Sequence, residues 1–172
     1  MIAVLRYGHR GLRDKRTSSH LGLVARAFGA DLLVMTVDDE KVRSTLEDVV
    51  KNWGGAFSVE VKRNWRKFLR DFKGVRVHLT MYGLPLDNVI GEIRSQVKGK
   101  DLLIFVGAEK VPPEVYELCE WNVAVGNQPH SEIAALAVFL DRLFQGEELS
   151  RRFEGARMEI VPQERGKKIN TY

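Results

Sequence analysis

A chain of 172 residues, 44% hydrophobic and 29% charged, has room for one sizeable core but not two ordinary domains, which excludes a disordered tail and makes residues 1–172 a single domain. The formal charge of +4 is mildly basic, so the distribution of charge says more than its sum. No apolar run approaches the roughly 20 residues of a membrane-spanning helix, the amino terminus lacks the basic-then-apolar order of a secretory signal, and the lone Cys119 excludes an intramolecular disulfide and a cysteine-built zinc site, so a cytoplasmic chain without membrane association is expected.

The first element in chain order is a strand, Ile2 to Tyr7. A basic stretch overlaps its end: Arg6, Arg10, Arg13, Lys15, Arg16 and Arg26, with His9 and His20, face a single carboxylate, Asp14, and form a candidate anion surface. Ser18 to Phe28 reads as a helix because Leu21, Val24, Ala25 and Phe28 recur at helical spacing, with Thr17, Ser18 and Ser19 as candidate caps and Gly29 as its stop. Arg26 falls off that apolar stripe. Asp31 to Val37 is a strand, Val42 to Trp53 a helix, Phe57 to Lys62 a strand and Trp65 to Phe72 a short helix. Around that helix Lys62, Arg63, Arg66, Lys67, Arg70, Lys73 and Arg76 are opposed only by Asp71, which fits either a solvated helix face with core aromatics or an RNA contact led by Arg63 and Arg66.

Val75 to Tyr82, Leu86 to Val97, Asp101 to Val106, Pro113 to Cys119, Asn122 to Val125 and Ser131 to Phe144 continue the alternation of strand and helix. Such alternation predicts an α/β fold, a mostly parallel sheet with helices on both faces. The tail breaks the rhythm: Ala156 to Val161, a turn at Gln163 to Gly166, and Lys167 to Thr171 predict a β-hairpin appendage over about residues 155–172.

In an open parallel sheet ligands settle beyond the carboxyl ends of the strands. Three of the later strands end in glycine there, at Gly83, Gly107 and Gly126, each followed by a proline-stiffened loop. Neither G-x-G-x-x-G after the first strand nor G-x-x-x-x-G-K-[ST] occurs, which counts against dinucleotide and nucleoside-triphosphate cradles. His9, His20, His78 and His130 are scattered, so no metal site is expected, and His78, alternating within a strand, reads as structural.

The runs His78-Leu79-Thr80-Met81-Tyr82-Gly83, Val106-Gly107-Ala108-Glu109-Lys110-Val111-Pro112 and Val125-Gly126-Asn127-Gln128-Pro129-His130-Ser131-Glu132-Ile133-Ala134-Ala135-Leu136 carry a resemblance. With Leu5-Arg6-Tyr7-Gly8-His9-Arg10, Arg13-Asp14-Lys15-Arg16 and Ala25-Arg26-Ala27-Phe28-Gly29-Ala30, they resemble the archaeal tRNA (cytidine, position 56) ribose 2′-O-methyltransferases of the SPOUT superfamily. That resemblance implies a homodimer with a deep C-terminal trefoil knot, S-adenosylmethionine in the knot loops, and 2′-O-methylation of the T-loop cytidine of tRNA.

Carried over residue by residue, the resemblance puts cofactor contacts at Leu84, at Gly107, Glu109, Lys110 and Val111, and at Gly126, Asn127, Gln128, Pro129, His130, Ser131, Glu132, Ile133 and Ala134. Arg10, Arg16 and His20 are the catalytic candidates, while Arg6, Arg10, Arg13 and Arg16 could equally grip RNA phosphates. Arg26, two turns into its helix, is the weaker catalytic candidate. Ser131 and Glu132 also suit a plain helix start, as a cap and as a charge at the positive helix end. The competing reading is an RNA-binding module of the same fold without catalysis.

Overall fold

The computed structural model describes residues 1–8 and 14–172, with the Lys15 side chain also outside the described part. Strands β1 (Ile2–Tyr7), β2 (Leu32–Met35), β3 (Ser58–Val61), β4 (Gly74–Pro85), β5 (Asp101–Gly107) and β6 (Trp121–Ala124) form one sheet in the order β3-β2-β1-β5-β4-β6. Every pairing in it is parallel. Between the strands run α1 (Lys15–Ala27), α2 (Glu40–Trp53), α3 (Trp65–Asp71), α4 (Leu86–Gln96), α5 (Glu114–Leu118) and, last, α6 (Glu132–Phe144).

A parallel sheet must be covered on both faces, and period-two alternation along the strands shows how. Val4, Leu33, Met35, Val77, Ile104 and Val106 share a core with Leu21 of α1, Leu46 of α2, Ile93 of α4 and Phe139 of α6. Their chain neighbours Ala3, Leu5, Leu32, Val34, Leu103 and Phe105 pack on the opposite face against Trp65 and Leu69 of α3, Val115 of α5, and Cys119. Fully burying each such large side chain contributes about 1.5–3 kcal/mol, so the two faces together fix the sandwich.

Helix α1 begins at Lys15 with Asp14 at the cap position, one turn before the Ser18 start that the sequence suggests. At its far end Phe28 and Gly29, with φ of +95°, stop it as expected. Helix α6 starts where predicted: the Ser131 hydroxyl accepts a hydrogen bond from the Ile133 amide at 3.2 Å.

The predicted hairpin is present as β7 (Met158–Ile160) and β8 (Ile169–Thr171), antiparallel and separate from the main sheet. Its leading segment is tied to the end of α2 by backbone bonds, from the Gly55 amide to the Glu154 carbonyl at 2.8 Å and from the Arg157 amide to the Asn52 carbonyl at 2.9 Å. The appendage therefore docks at the end of the sheet opposite the strands' carboxyl ends.

Candidate functional site

Strand β4 is the irregular element that opens the site. Leu79 and Leu84 both align with Val123 of β6, so the register shifts and residues 80–83 leave the ladder at the carboxyl end of the sheet. Gly83 permits the return: a Cβ there would lie 2.4 Å from the Asn122 carbonyl oxygen, a backbone group that cannot swing aside. Asn127 straps the excursion to the loop after β6, its Nδ2 donating to the carbonyls of Met81 at 2.9 Å and Gly83 at 3.0 Å. Gly126, at φ of +79°, supplies the left-handed turn that starts the second loop.

These loops and the β5–α5 loop enclose a cleft of about 940 Å³. Its walls take His78 to Tyr82 from β4, Val106, Gly107, Glu109, Lys110, Val111 and Pro113 from the β5 end, Tyr116 and Glu117 from α5, and Val125, Gln128, Pro129, His130, Glu132 and Ala135 from the β6–α6 segment. Eight of the expected cofactor residues thus face one space: Gly107, Glu109, Lys110, Val111, Gln128, Pro129, His130 and Glu132.

The remaining cofactor candidates stand around this cleft rather than lining it. Leu84 is exposed beyond the excursion, Gly126 makes the turn, Asn127 straps the loops and Ser131 caps α6. Ile133 packs on the core and Ala134 is exposed. His130 braces the same loop, its two ring nitrogens lying against the carbonyls of Val125 and Ser131.

Sequence reasoning did not assign His78, Thr80, Tyr82, Tyr116 or Ala135 to the site. His78 is buried, as expected of a structural residue, yet it also lines the cleft. Asn122 donates its Nδ2 to the Tyr116 carbonyl at 2.9 Å, so its Oδ1 accepts from His78 Nδ1, also at 2.9 Å. The imidazole meets Phe105 and Tyr116 edge-on at 5.4 and 4.7 Å. Burial lowers its pKa, partly offset by the bond to Asn122, so the ring is neutral near pH 7. Cys119, on the same side of the sheet, has its thiol pushed up to about 12, chiefly by burial, and is a core residue as expected.

The arginines separate into distinct environments. Arg6 was placed by its charge run on an anion-binding surface; instead it is 1% exposed, and its Nη2 donates to Glu132 Oε1 at 3.0 Å. A guanidinium covered on both faces of a parallel sheet has no access to a phosphate. Arg10 and Arg13 lie outside the described residues. Arg16 and His20, one turn apart on α1, are exposed and are not among the cleft residues. Arg63 is exposed before α3, and Arg66 stacks on Trp65 at 4.4 Å and pairs with Glu114, beside Pro113 at the cleft rim. Trp65 itself is core, so the aromatics of this basic stretch serve packing.

Arg26 is 7% exposed and donates to the carbonyls of Trp53 at 2.8 Å and Gly54 at 2.7 Å, with its guanidinium 4.3 Å over the Phe153 ring. It clamps the end of α2 to the tail, far from the cleft, and is no catalytic residue. No group of three or more metal-ligating side chains occurs among the described residues, and no helix there is long and apolar enough to cross a membrane.

The parallel sheet and its two-sided helical cover are the fold of solved methyltransferases. A putative RNA methyltransferase from Bacillus anthracis superposes with a TM-score of 0.61 at 14% identity, over 91% of this chain and 98% of its own. The SpoU methyltransferase AviRb from Streptomyces viridochromogenes, crystallised with its cofactor AdoMet, gives 0.55 at 16% identity, over 84% of this chain and 60% of its own.

Within that class the chain belongs to the tRNA ribose 2′-O-methyltransferase, aTrm56, family, whose profile matches residues 53–170. It is 60% identical to the tRNA (cytidine(56)-2′-O)-methyltransferase of Pyrococcus horikoshii over 98% of this chain and 84% of that one. The enzymes of the same name from Thermococcus kodakarensis and Methanocaldococcus jannaschii are 59% and 55% identical, each over 98% of this chain and 96% of their own.

Proposed function

We propose that this chain transfers a methyl group from S-adenosylmethionine to the ribose 2′-oxygen of cytidine 56 in the T-loop of tRNA, as a cytoplasmic homodimer. The observation that carries the reading is the convergence on one cleft of the loops around residues 78–82, 106–111 and 125–132, in a chain 55–60% identical to relatives named for that reaction. The cofactor fits the walls. Leu79, Val106, Val111, Val125 and Ala135 offer apolar surface for a flat adenine, beside backbone groups able to read its edge, and the volume suits a ligand of that size.

Bound there, the cofactor supplies an electrophilic methyl group. The chain must bring the 2′-oxygen into line and take up its proton, which calls for rigid positioning and a nearby acceptor or anion anchor. Rigidity comes from the Asn127 strap and the His130 brace. Arg10, Arg16 and His20 are the candidates for the acceptor or anchor, Arg16 and His20 standing exposed on α1 outside the cleft wall, with Arg13, Arg63 and Arg66 as further candidate contacts to RNA phosphates.

The deep trefoil knot is part of the same reading; it is supported by β6 pairing on the outer side of β4 while α6 returns over β4 and β5. Dimerisation is supported by large apolar side chains left in solvent: Tyr82, 75% exposed, and Leu84, 56% exposed, with Val138 on α6.

The deciding experiment is tritium transfer from labelled S-adenosylmethionine to an unmodified tRNA transcript, with nuclease mapping of the product. Label on the 2′-oxygen of the T-loop cytidine is expected. Tight tRNA binding with no transfer would replace the enzyme with an RNA-binding module of the same fold.

A further inference from the structure

Arginine keeps its charge at any ordinary pH, so one sealed inside a sheet must be matched by a partner. Arg6 lies on central strand β1, two residues beyond Val4 and on the same face, in register with Val106 of β5 at the carboxyl ends of the strands. One of its partners, Glu132, opens α6 and lines the cleft, and the two side chains are 1% and 30% exposed. The pair is therefore a fixed dipole, with its positive end in the protein and its negative end at the cleft.

Two features make this more than a helix anchor. Ser131 already caps α6, so the helix start has its own hydrogen bond without Glu132. Moreover the described charged side chains of the cleft, His130 aside, are Glu109, Glu117 and Glu132 against Lys110, an acidic balance in a chain of net charge +4. Glu109 adds to the same end of β1, its Oε1 so close to Gly8 that a Cβ there would lie 2.7 Å away. Carboxylates repel a ribose-phosphate chain, so this floor suits a cation.

We propose that Glu132, oriented by Arg6 as a positioning residue, recognises the sulfonium charge and so lets the site prefer the methyl donor over its product. The inference rests on S-adenosylmethionine binding in this cleft. The carboxylate and ammonium of its methionine end cancel, so its net positive charge is the sulfonium; methyl transfer turns that sulfur into a neutral thioether and leaves the amino-acid end unchanged. A negative dipole near the sulfur favours the donor by Coulomb attraction and does little for the product, S-adenosylhomocysteine.

The test is calorimetric binding of S-adenosylmethionine, S-adenosylhomocysteine and sinefungin, which carries an ammonium in place of the sulfonium centre, to the full chain. Glu132→Gln should weaken the two charged ligands relative to S-adenosylhomocysteine by roughly 5- to 10-fold, as expected for one charge interaction at intermediate dielectric. Because that substitution leaves Arg6 buried opposite a neutral amide, the double variant Arg6→Met/Glu132→Gln, which buries no charge at the pair, is measured beside it and should show the same loss of preference. Arg6→Met alone, which leaves Glu132 without the bond that orients it, should lose part of the preference, and Arg6→Lys should lose less of it. An unchanged ratio in the folded variants, with all three ligands weakened together or not at all, would overturn the role given to the pair. Failure of the unmodified chain to bind any of the three would instead remove the cofactor site on which the inference stands.

Discussion

Two buried arginines stand at opposite ends of the same sheet, and the partners they have found separate function from architecture. Helices in a parallel α/β fold run back against the strands, so Arg26, in the last turn of α1, lies at the strands' amino ends, while Arg6 lies at their carboxyl ends. Arg26 meets the carbonyls of Trp53 and Gly54, where the end of α2 offers the negative pole of its dipole, and rests on Phe153. Every one of those partners belongs to the fold. Arg6 meets a carboxylate that itself faces an open cleft. A charge satisfied by fixed backbone has no chemistry left to do, whereas a charge that orients a half-buried carboxylate at a cleft prepares that carboxylate for something else.

The sharpest way to break this contrast is Arg26→Leu. The substitution leaves two carbonyls without their charged donor and removes the stacking that joins the tail to α2, so about 3 kcal/mol of stability should be lost in urea denaturation. The ratio of affinities for S-adenosylmethionine and S-adenosylhomocysteine should stay unchanged in the folded fraction. A variant of normal stability with an altered ratio would mean that the Arg26 end of the molecule is coupled to the cleft and that the contrast is false.

The contrast also explains which parts of the molecule were legible in the sequence. Alternation of apolar residues is a local signal, so the order and type of the elements could be read from it, including the terminal hairpin. The three glycine loops could be read because each follows a strand. Arg6 belongs by charge to the basic run that follows it, but the strand's own alternation from Val4 to Arg6, in a sheet covered on both faces, puts it inside. The extension of β4 to Pro85 depends on a second pairing of Leu84 and Pro85 with Val123 and Ala124, partners that no local pattern names. Tyr116 and His78 reach the cleft for the same reason, since α5 and the end of β4 meet only once β6 has taken its place beside β4.

A smaller effect sharpens the cleft side of the comparison. Ser131→Ala should cost about 1 kcal/mol through loss of the cap on α6, while Glu132 keeps its bond to Arg6 and the ligand preference survives. If the preference falls in step with stability, the first turn of α6, and not the ion pair, holds the carboxylate in place. Thermal denaturation and calorimetry on the same preparation read both quantities.

The last of these effects concerns a group that escapes burial's penalty by a different route, giving up its charge instead of pairing it. His78 has its pKa lowered by burial against the support of Asn122, whereas in the unfolded chain a histidine titrates at about 6.5. Above that value the ring is neutral in both states. As pH falls below it the unfolded chain takes up a proton that the folded chain resists, so stability is present at neutral pH and is lost on acidification. Replacement by a non-titrating residue, His78→Gln, should flatten the decline between about pH 7.5 and 5.5 by up to ~1.4 kcal/mol, whatever it does to stability at neutral pH. His9, His20 and His130 remain in both chains and contribute equally to the two curves, so the difference isolates one ring. Identical slopes would mean that His78 accepts its proton in the folded state, with the cleft able to hold an imidazolium beside Tyr116; the neutral imidazole inferred from its burial would then be wrong.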